Sequence, residues 1–203
     1  MAGNKLTPRV GVLAIQGDFD AHAAALSKAG AEPVMVRSAD QLQSLDGLII
    51  PGGESTTFLQ FFERNQSGQD LWNSLKAFSA QKPTFGTCAG CILLASEVTG
   101  PAQTSLAALD ATVQRNAYGR QLESAIVTGP TRLEGDPLEM VYIRAPRITR
   151  VGDRVEVLAE RDGFPVLIRS GNVLAATFHP ELSDDNRVHD YFVKMVRDSA
   201  AKV

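Results

Sequence analysis

The chain has 203 residues, of which 44% are hydrophobic and 21% charged, and its formal net charge is −3. This length suits one domain with a sizeable core, so we expect residues 1–203 to form a single domain. No basic run indicates nucleic acid or a membrane surface as a partner, and no segment approaches the ~18 apolar residues of a membrane-spanning helix.

The first half of the chain alternates apolar runs with helix-like segments. We predict strands at residues 10–15, 34–36, 47–50 and 83–85, and helices at residues 18–28, 56–62, 69–78 and 91–95. Asp18 is suited to cap the first helix, because its side chain can accept a hydrogen bond from a free backbone N–H. The alternation predicts a parallel sheet with right-handed crossovers, and sites at the carboxyl ends of its strands.

After about Leu109 the pattern changes to short β-like runs separated by turn signals. These runs lie at residues 111–113, 122–127, 140–144, 155–159, 166–169 and 173–178, and a closing helix is predicted at residues 186–199. We expect this half to add antiparallel strands to the sheet. The predicted class is therefore α/β, a three-layer sandwich around a mixed, mainly parallel sheet.

Cys88 lies in a turn between a predicted strand and a predicted helix, with Gly86 before it and Gly90 after it. This Gly-x-Cys-x-Gly layout is typical of a nucleophile elbow, which presents its side chain at the carboxyl edge of a sheet. The new helix directs its free N–H groups and positive dipole end at the sulfur, which favours the thiolate. A core cysteine needs no such turn, so we predict that Cys88 is a nucleophile.

His179-Pro180-Glu181 follows the last predicted strand, at the edge where Cys88 is expected. Residues two apart in an extended chain point the same way, so His179 and Glu181 can lie side by side. The imidazole can accept the thiol proton, and a carboxylate behind it fixes the tautomer and stabilises the imidazolium. We therefore predict a Cys-His-Glu triad. His22 and His189 lie in predicted helices without such a carboxylate, and we interpret them as surface or packing residues.

Residues 51–55 end the third predicted strand at the same edge. The backbone N–H of Gly53, together with that of Ala89, would form an oxyanion hole, and one such donor is worth about 3 kcal/mol in the transition state. The alternative is a plain glycine turn with Ser55 as the N-cap of the next helix. No nucleotide-binding glycine motif occurs there.

Cys88 and Cys91 also form a Cys-x-x-Cys pair. A thioredoxin-like redox pair would account for the helix N-terminus, but it leaves the glycines and His179-Pro180-Glu181 unexplained. As half of a zinc site the pair lacks a second Cys pair, and we expect no metal and no other cofactor. Cys91 is interpreted as a packing residue. The close spacing of the two cysteines is a poor disulfide framework, which favours a cytoplasmic location.

Together these motifs resemble class I, triad-type glutamine amidotransferases, and more narrowly the glutaminase subunits of two-component pyridoxal 5′-phosphate synthases. The resemblance runs from about Val10 to Val196 and rests on residues 11–17, 50–57, 85–90, 115–121, 143–146 and 178–182. It implies the fold of that class, with a flavodoxin-like core. Cys91 and Tyr118 replace an aliphatic residue and a phenylalanine, and affect only local packing.

By this resemblance Cys88 is the nucleophile, His179 the general base and acid, and Glu181 the residue that orients His179. The implied reaction is hydrolysis of L-glutamine to L-glutamate and ammonia through a γ-glutamyl thioester. The α-carboxylate and α-ammonium of glutamine need a cation and acceptors. The resemblance places glutamine against Gly53, Glu54, Ser55, Arg115, Ile143 and Arg144.

The same resemblance implies that ammonia passes to a (β/α)₈-barrel synthase subunit in a hetero-oligomer, for vitamin B6 biosynthesis. Gln16, at the end of the first strand, is expected to report docking of that partner, although a plain loop-end glutamine is an equal alternative. Two other functions stay open: a glutaminase subunit of histidine or purine synthesis, and a binding module without turnover. The intact Cys88, His179 and Glu181 argue against the binding module.

Overall fold

The structure is a computed structural model that describes residues 7–115, 125–135 and 137–201. Its strands are β1 (Arg9–Leu13), β2 (Glu32–Val36), β3 (Gly47–Ile50), β4 (Thr84–Thr87), β5 (Ala95–Thr99), β6 (Leu109–Gln114), β7 (Ala125–Gly129), β8 (Leu138–Tyr142), β9 (Arg147–Val151), β10 (Glu156–Arg161), β11 (Phe164–Ser170) and β12 (Val173–Ala176). Its helices are α1 (Phe19–Lys28), α2 (Ser55–Glu63), α3 (Gln66–Gln81), α4 (Ala89–Leu94) and α5 (Arg187–Ala200). In this part of the chain, no helix has both the length and the apolar character needed to cross a membrane.

The central sheet has seven strands in the order β10-β11-β12-β4-β3-β1-β2. The five strands from β12 to β2 pair in parallel, which is the doubly wound order of a flavodoxin-like core. At the other end of the sheet, β11 pairs antiparallel with β12, and the edge strand β10 pairs antiparallel with β11. The predicted α/β class with a mixed, mainly parallel sheet is therefore confirmed.

Successive side chains of the buried strands point to opposite sides of this sheet, so both of its faces are apolar. Helices cover both faces. On β3, the side chains of Leu48 and Ile50 pack in the core formed with α2, α3 and α4. Ile49, between them, packs in a second core with residues of α1 and α5. The result is the three-layer arrangement expected from the continuous apolar runs.

The C-terminal half contributes more than an antiparallel extension. Strand β12 joins the parallel part of the sheet beside β4, while β5, β6 and β9 form a separate three-stranded sheet and β7 pairs with β8 in a hairpin. The sequence did not predict β5 and β9. Each has at most two fully buried residues, so neither has a clear apolar pattern. The predicted strand at 122–127 lies partly outside the described residues.

Helix α1 begins where the sequence predicts. The Asp18 side chain accepts a hydrogen bond from the backbone N–H of Ala21 at 3.2 Å, which satisfies a donor of the first turn. The helix then buries His22, Ala25 and Leu26 on one face. The cap therefore helps to place a buried histidine against the centre of the sheet.

We expect the substitution Asp18→Ala to lower the free energy of unfolding by about 1 kcal/mol, because the N-cap acceptor is lost. Urea denaturation of the parent and the variant measures this difference. Asp18→Asn is the matched control, since asparagine keeps an oxygen acceptor at the cap, and its stability should stay near that of the parent. Equal losses in the two variants would contradict the role of Asp18 as a cap.

Candidate active site

Cys88 lies between β4 and α4 in a backbone conformation that is rare for residues other than glycine, with φ 48° and ψ −104°. The close packing around it requires two glycines. A Cβ on Gly86 would lie 2.5 Å from the carbonyl carbon of Gly90, and a Cβ on Gly90 would collide with the carbonyl oxygen of Ile50. The first turn of α4 therefore sits directly on β4 and β3, and the sulfur is presented at the carboxyl edge of the sheet.

The pairing of β12 with β4 brings His179 to Cys88. Ala176 is opposite Thr87, and the backbone N–H of Cys88 donates to the carbonyl oxygen of Ala176 at 2.9 Å. The Cys88 thiol is close enough to the His179 ring to raise its pKa. Both flank Gly52, where a Cβ would come 2.5 Å from Cε1 of His179 and 3.3 Å from the Cβ of Cys88.

Glu181 lies on the other side of the His179 ring, with its Oε1 2.7 Å from His179 Nδ1. The two side chains are adjacent for a different reason from the one expected. Residues Pro180–Leu182 form a 3₁₀ turn rather than an extended segment. Proline suits the start of such a turn because its φ is already helical and its missing N–H leaves no donor unpaired. The turn folds Glu181 back onto the ring.

The environment of His179 favours the protonated ring. Burial alone would lower the pKa of His179, but the hydrogen bonds to Cys88 and Glu181 raise it to about 10. The Glu181 side chain is 0% exposed, so its carboxylate acts at short range with little solvent screening. This arrangement can take a proton from a thiol, hold it, and return it to a leaving group.

A cavity of about 270 Å³ opens beside Cys88 and His179. All six residues that the resemblance places against glutamine line this cavity, which Ile92 and Pro146 complete: Gly53, Glu54, Ser55, Arg115, Ile143 and Arg144. Ala89, the second expected oxyanion donor, is the first residue of α4, where a backbone N–H has no acceptor within the helix. The predicted nucleophile, its histidine and the predicted glutamine-binding residues therefore line the same cavity.

The cavity wall carries charges of both signs. Arg115 contacts the Glu54 carboxylate at 3.4 Å and donates to Thr56 Oγ1 at 2.9 Å, and its side chain is only 11% exposed. Burial would raise the pKa of Glu54, but hydrogen bonds from Thr56 and the charges of Arg115 and Arg144 lower it. Glu54 is therefore an ionised acceptor. Two cations and one anion around a small cavity suit the zwitterionic end of an amino acid.

The loop after β3 differs from the simple glycine turn considered as an alternative. Glu54, not Ser55, is the N-cap of α2, since its side chain accepts from the N–H of Thr56. The Ser55 hydroxyl donates instead to Gln103 Oε1 at 2.9 Å. Gln16 holds the loop from the end of β1, because its amide donates to the Glu54 carbonyl at 2.5 Å and accepts from the Glu54 N–H at 3.3 Å. Its role in docking a partner stays a prediction.

Cys91 and Cys88 are both free thiols. Cys91 is a fully buried residue of α4, and burial raises its pKa, so it behaves as an apolar side chain. Tyr118 and the rest of residues 116–121 lie outside the described residues.

Sequence reasoning missed the position of His22 and His189. Both side chains are completely buried, so of the two alternatives the surface interpretation is wrong and the packing interpretation holds, but the position of His22 Nε2, 3.4 Å from Glu181 Oε2, was not expected. A signal was available for His22. It precedes Ala25 and Leu26 by three and four residues, which puts all three on the face of α1 that packs against the sheet.

Comparisons with known proteins agree with this geometry. The model of the SNO glutamine amidotransferase family matches residues 12–198. The chain belongs to the SNO glutamine amidotransferase family. It is 58% identical over 190 residues to the pyridoxal 5′-phosphate synthase subunit PdxT of Koribacter versatilis (strain Ellin345), covering 94% of this chain and 96% of that protein.

Further relatives of this SNO family member extend the agreement. The subunit of the same name from Thermotoga maritima is 47% identical over 191 residues, covering 93% of this chain and all of the relative. A solved crystal structure of a glutamine amidotransferase matches with a TM-score of 0.81 at 44% identity, covering 92% of this chain and 98% of that one.

In this SNO family member we expect Gly52→Ala to reduce glutamine hydrolysis about 100-fold, because the new Cβ displaces the His179 ring from Cys88. Glutamate formation by the parent and the variant measures the effect. Gly129→Ala, on β7, is the control. Its Cβ would meet only the flexible end of the Met140 side chain, at 2.9 Å. Unchanged activity in Gly52→Ala would contradict the stated contact between ring and thiol.

Proposed function

We propose that the chain hydrolyses L-glutamine to L-glutamate and ammonia, as the glutaminase subunit of a pyridoxal 5′-phosphate synthase. One observation carries this proposal: Cys88 and His179 border a cavity whose wall holds Arg115, Arg144 and an ionised Glu54. The names of the relatives from Koribacter versatilis and Thermotoga maritima support the pathway.

Substrate binding follows from the charges of the cavity. The α-carboxylate of glutamine pairs with Arg115 and Arg144, and the α-ammonium with Glu54. A guanidinium has five N–H donors, so Arg115 keeps donors for substrate beyond those directed at Glu54 and Thr56. Held at this end, the side-chain amide of glutamine extends towards Cys88.

The first chemical step forms a thioester. The thiol proton of Cys88 first passes to Nε2 of His179, whose surroundings favour the protonated ring, while Nδ1 stays bonded to Glu181. The sulfur then attacks the amide carbon. Negative charge collects on the amide oxygen, where the backbone N–H groups of Gly53 and Ala89 stabilise it. His179 then gives its proton to the amide nitrogen, the C–N bond breaks, and ammonia leaves.

The second step regenerates the thiol. His179, now neutral, takes a proton from water as the water oxygen attacks the γ-glutamyl carbonyl. The same two N–H groups stabilise the oxyanion. The C–S bond breaks, the sulfur recovers the proton from His179, and L-glutamate leaves the cavity. Both steps use groups of this chain and water, so we expect no cofactor.

We further propose that ammonia passes to a (β/α)₈-barrel synthase subunit in a cytoplasmic hetero-oligomer. The relatives named as synthase subunits support a partner chain. The hydrogen bonds of Gln16 to both backbone groups of Glu54, at the rim of the cavity, support a role in responding to docking. The two free thiols, Cys88 and Cys91, suit a reducing compartment.

Comparison of Cys88→Ala with Cys91→Ala tests the proposed function. We expect Cys88→Ala to lower ammonia release from glutamine by at least about 10⁴-fold in the presence of the barrel synthase, because the nucleophile is absent. Cys91→Ala removes a neighbouring buried sulfur and should keep most of the activity. Ammonia is measured with a coupled dehydrogenase assay. Equal release by Cys88→Ala and the parent would exclude Cys88 as the nucleophile.

A further inference from the structure

A line of buried polar side chains continues behind Glu181 into the core. His22 on α1 and His189 on α5 are both 0% exposed, and both have edge-on contacts with the Phe85 ring, at centroid distances of 6.4 and 6.0 Å. A polar group in such surroundings costs several kcal/mol unless it is hydrogen-bonded. The burial of these two imidazoles therefore requires a structural or functional reason.

The contacts of His22 join the two histidines to the proposed active site. Its Nε2 lies 3.2 Å from Thr87 Oγ1 and 3.4 Å from Glu181 Oε2, and its Nδ1 lies 2.9 Å from His189 Nε2. Glu181 thus stands between two rings, with Oε1 on His179 and Oε2 towards His22. Among the described residues, Oε2 has no hydrogen-bond partner, so its approach to His22 Nε2 at 3.4 Å is an electrostatic contact.

The carboxylate decides which nitrogen of His22 carries the proton. An ionised Glu181 can only accept, so a bare lone pair on His22 Nε2 would repel Oε2, whereas an N–H attracts it. With the proton on Nε2, Nδ1 of His22 accepts from the Nε2–H of His189. This leaves His189 Nδ1 as a bare acceptor, which is unpaired within the described residues. With the proton of His22 on Nδ1 instead, His189 would carry its proton on Nδ1, and that buried N–H would have no acceptor among the described residues.

We propose that His22 is a positioning residue for Glu181: its Nε2–H, which donates to Thr87 Oγ1, also attracts the charge on Oε2 at 3.4 Å and so keeps Oε1 facing His179. His189 lies behind His22, and its Nε2–H donates to the Nδ1 that the Glu181 carboxylate leaves unprotonated. This inference rests on the proposed glutaminase function for its kinetic consequence, but the placement of Glu181 itself does not depend on the substrate.

Neutral imidazoles suit this role. Burial lowers the pKa of His22 well below its ordinary value, helped by the nearby His189 and His179, and burial lowers the pKa of His189 to about 4. A neutral His22 directs the positive end of its N–H dipole at Oε2 without neutralising Glu181. The carboxylate charge therefore remains available to the imidazolium of His179, which forms during the reaction.

Substitutions at His22 separate a positioning role from simple packing. His22→Gln keeps an amide donor near the position of Nε2, whereas His22→Asn has a donor only near the position of Nδ1, and His22→Leu has none. We expect kcat for glutamine hydrolysis, measured with the barrel synthase present, to fall between about 10-fold and about 100-fold in the Leu and Asn variants. The Gln variant should stay within about 3-fold of the parent, and KM should change less than about 2-fold in all three.

His189→Leu is the matched control for disturbing the same core, because it removes a buried imidazole that does not reach Glu181. Its kcat should stay within about 3-fold of the parent. A loss in His189→Leu as large as in His22→Leu, or a Gln variant as slow as the Asn variant, would overturn the proposal. The comparison of Gln with Asn decides the matter even when the Leu variant does not fold.

A second readout needs no turnover. The proton on His179 Nδ1, bonded to Glu181 at 2.7 Å, should give a far-downfield ¹H resonance in the parent. We expect this resonance to persist in His22→Gln and to broaden or move upfield in His22→Asn. An identical resonance in both variants would also overturn the proposal. A parent that hydrolyses no glutamine would instead contradict the proposed function, and the spectra would still decide the role of His22.

Discussion

The geometry of this protein depends on how closely helix α4 approaches the sheet at Cys88. Gly86 and Gly90 leave no room for a side chain between the helix and strands β4 and β3. A residue with φ 48° costs about 1–3 kcal/mol and persists only where its surroundings enforce it. Here Leu93 and Leu94, almost completely buried, anchor the helix in the core. Core packing thus maintains the strained turn that presents the sulfur.

The sheet order then determines which segments meet the sulfur. Parallel strands β3, β4 and β12 are neighbours, so the segments that follow them, including Cys88 and His179, reach one edge together. The smaller sheets supply the cationic side of the cavity: Arg115 directly follows β6, and Arg144 lies two residues after β8. The parallel core therefore carries the reacting groups, and the added strands carry the charges that suit an amino acid substrate.

The sequence was most informative where a local pattern matched a local structure. Continuous apolar runs predicted the parallel strands, and glycines on both sides of Cys88 indicated the elbow. What escaped prediction depends on tertiary contacts. Arg115 is mostly buried because Glu54 and Thr56, distant in sequence, pair with it. Likewise, only the packing of α1 and α5 on one face of the sheet reveals that His22 contacts His189.

Mass spectrometry of the quenched reaction is the most direct test of Cys88 as the nucleophile. The complex of this chain with its synthase partner subunit is mixed with glutamine, stopped in acid within the first turnovers, and digested. We predict that the peptide containing Cys88 gains the mass of one γ-glutamyl group, and that fragmentation places this group on Cys88 rather than on Cys91. Steady ammonia release without any acylated Cys88, under conditions that preserve a synthetic thioester, would contradict it.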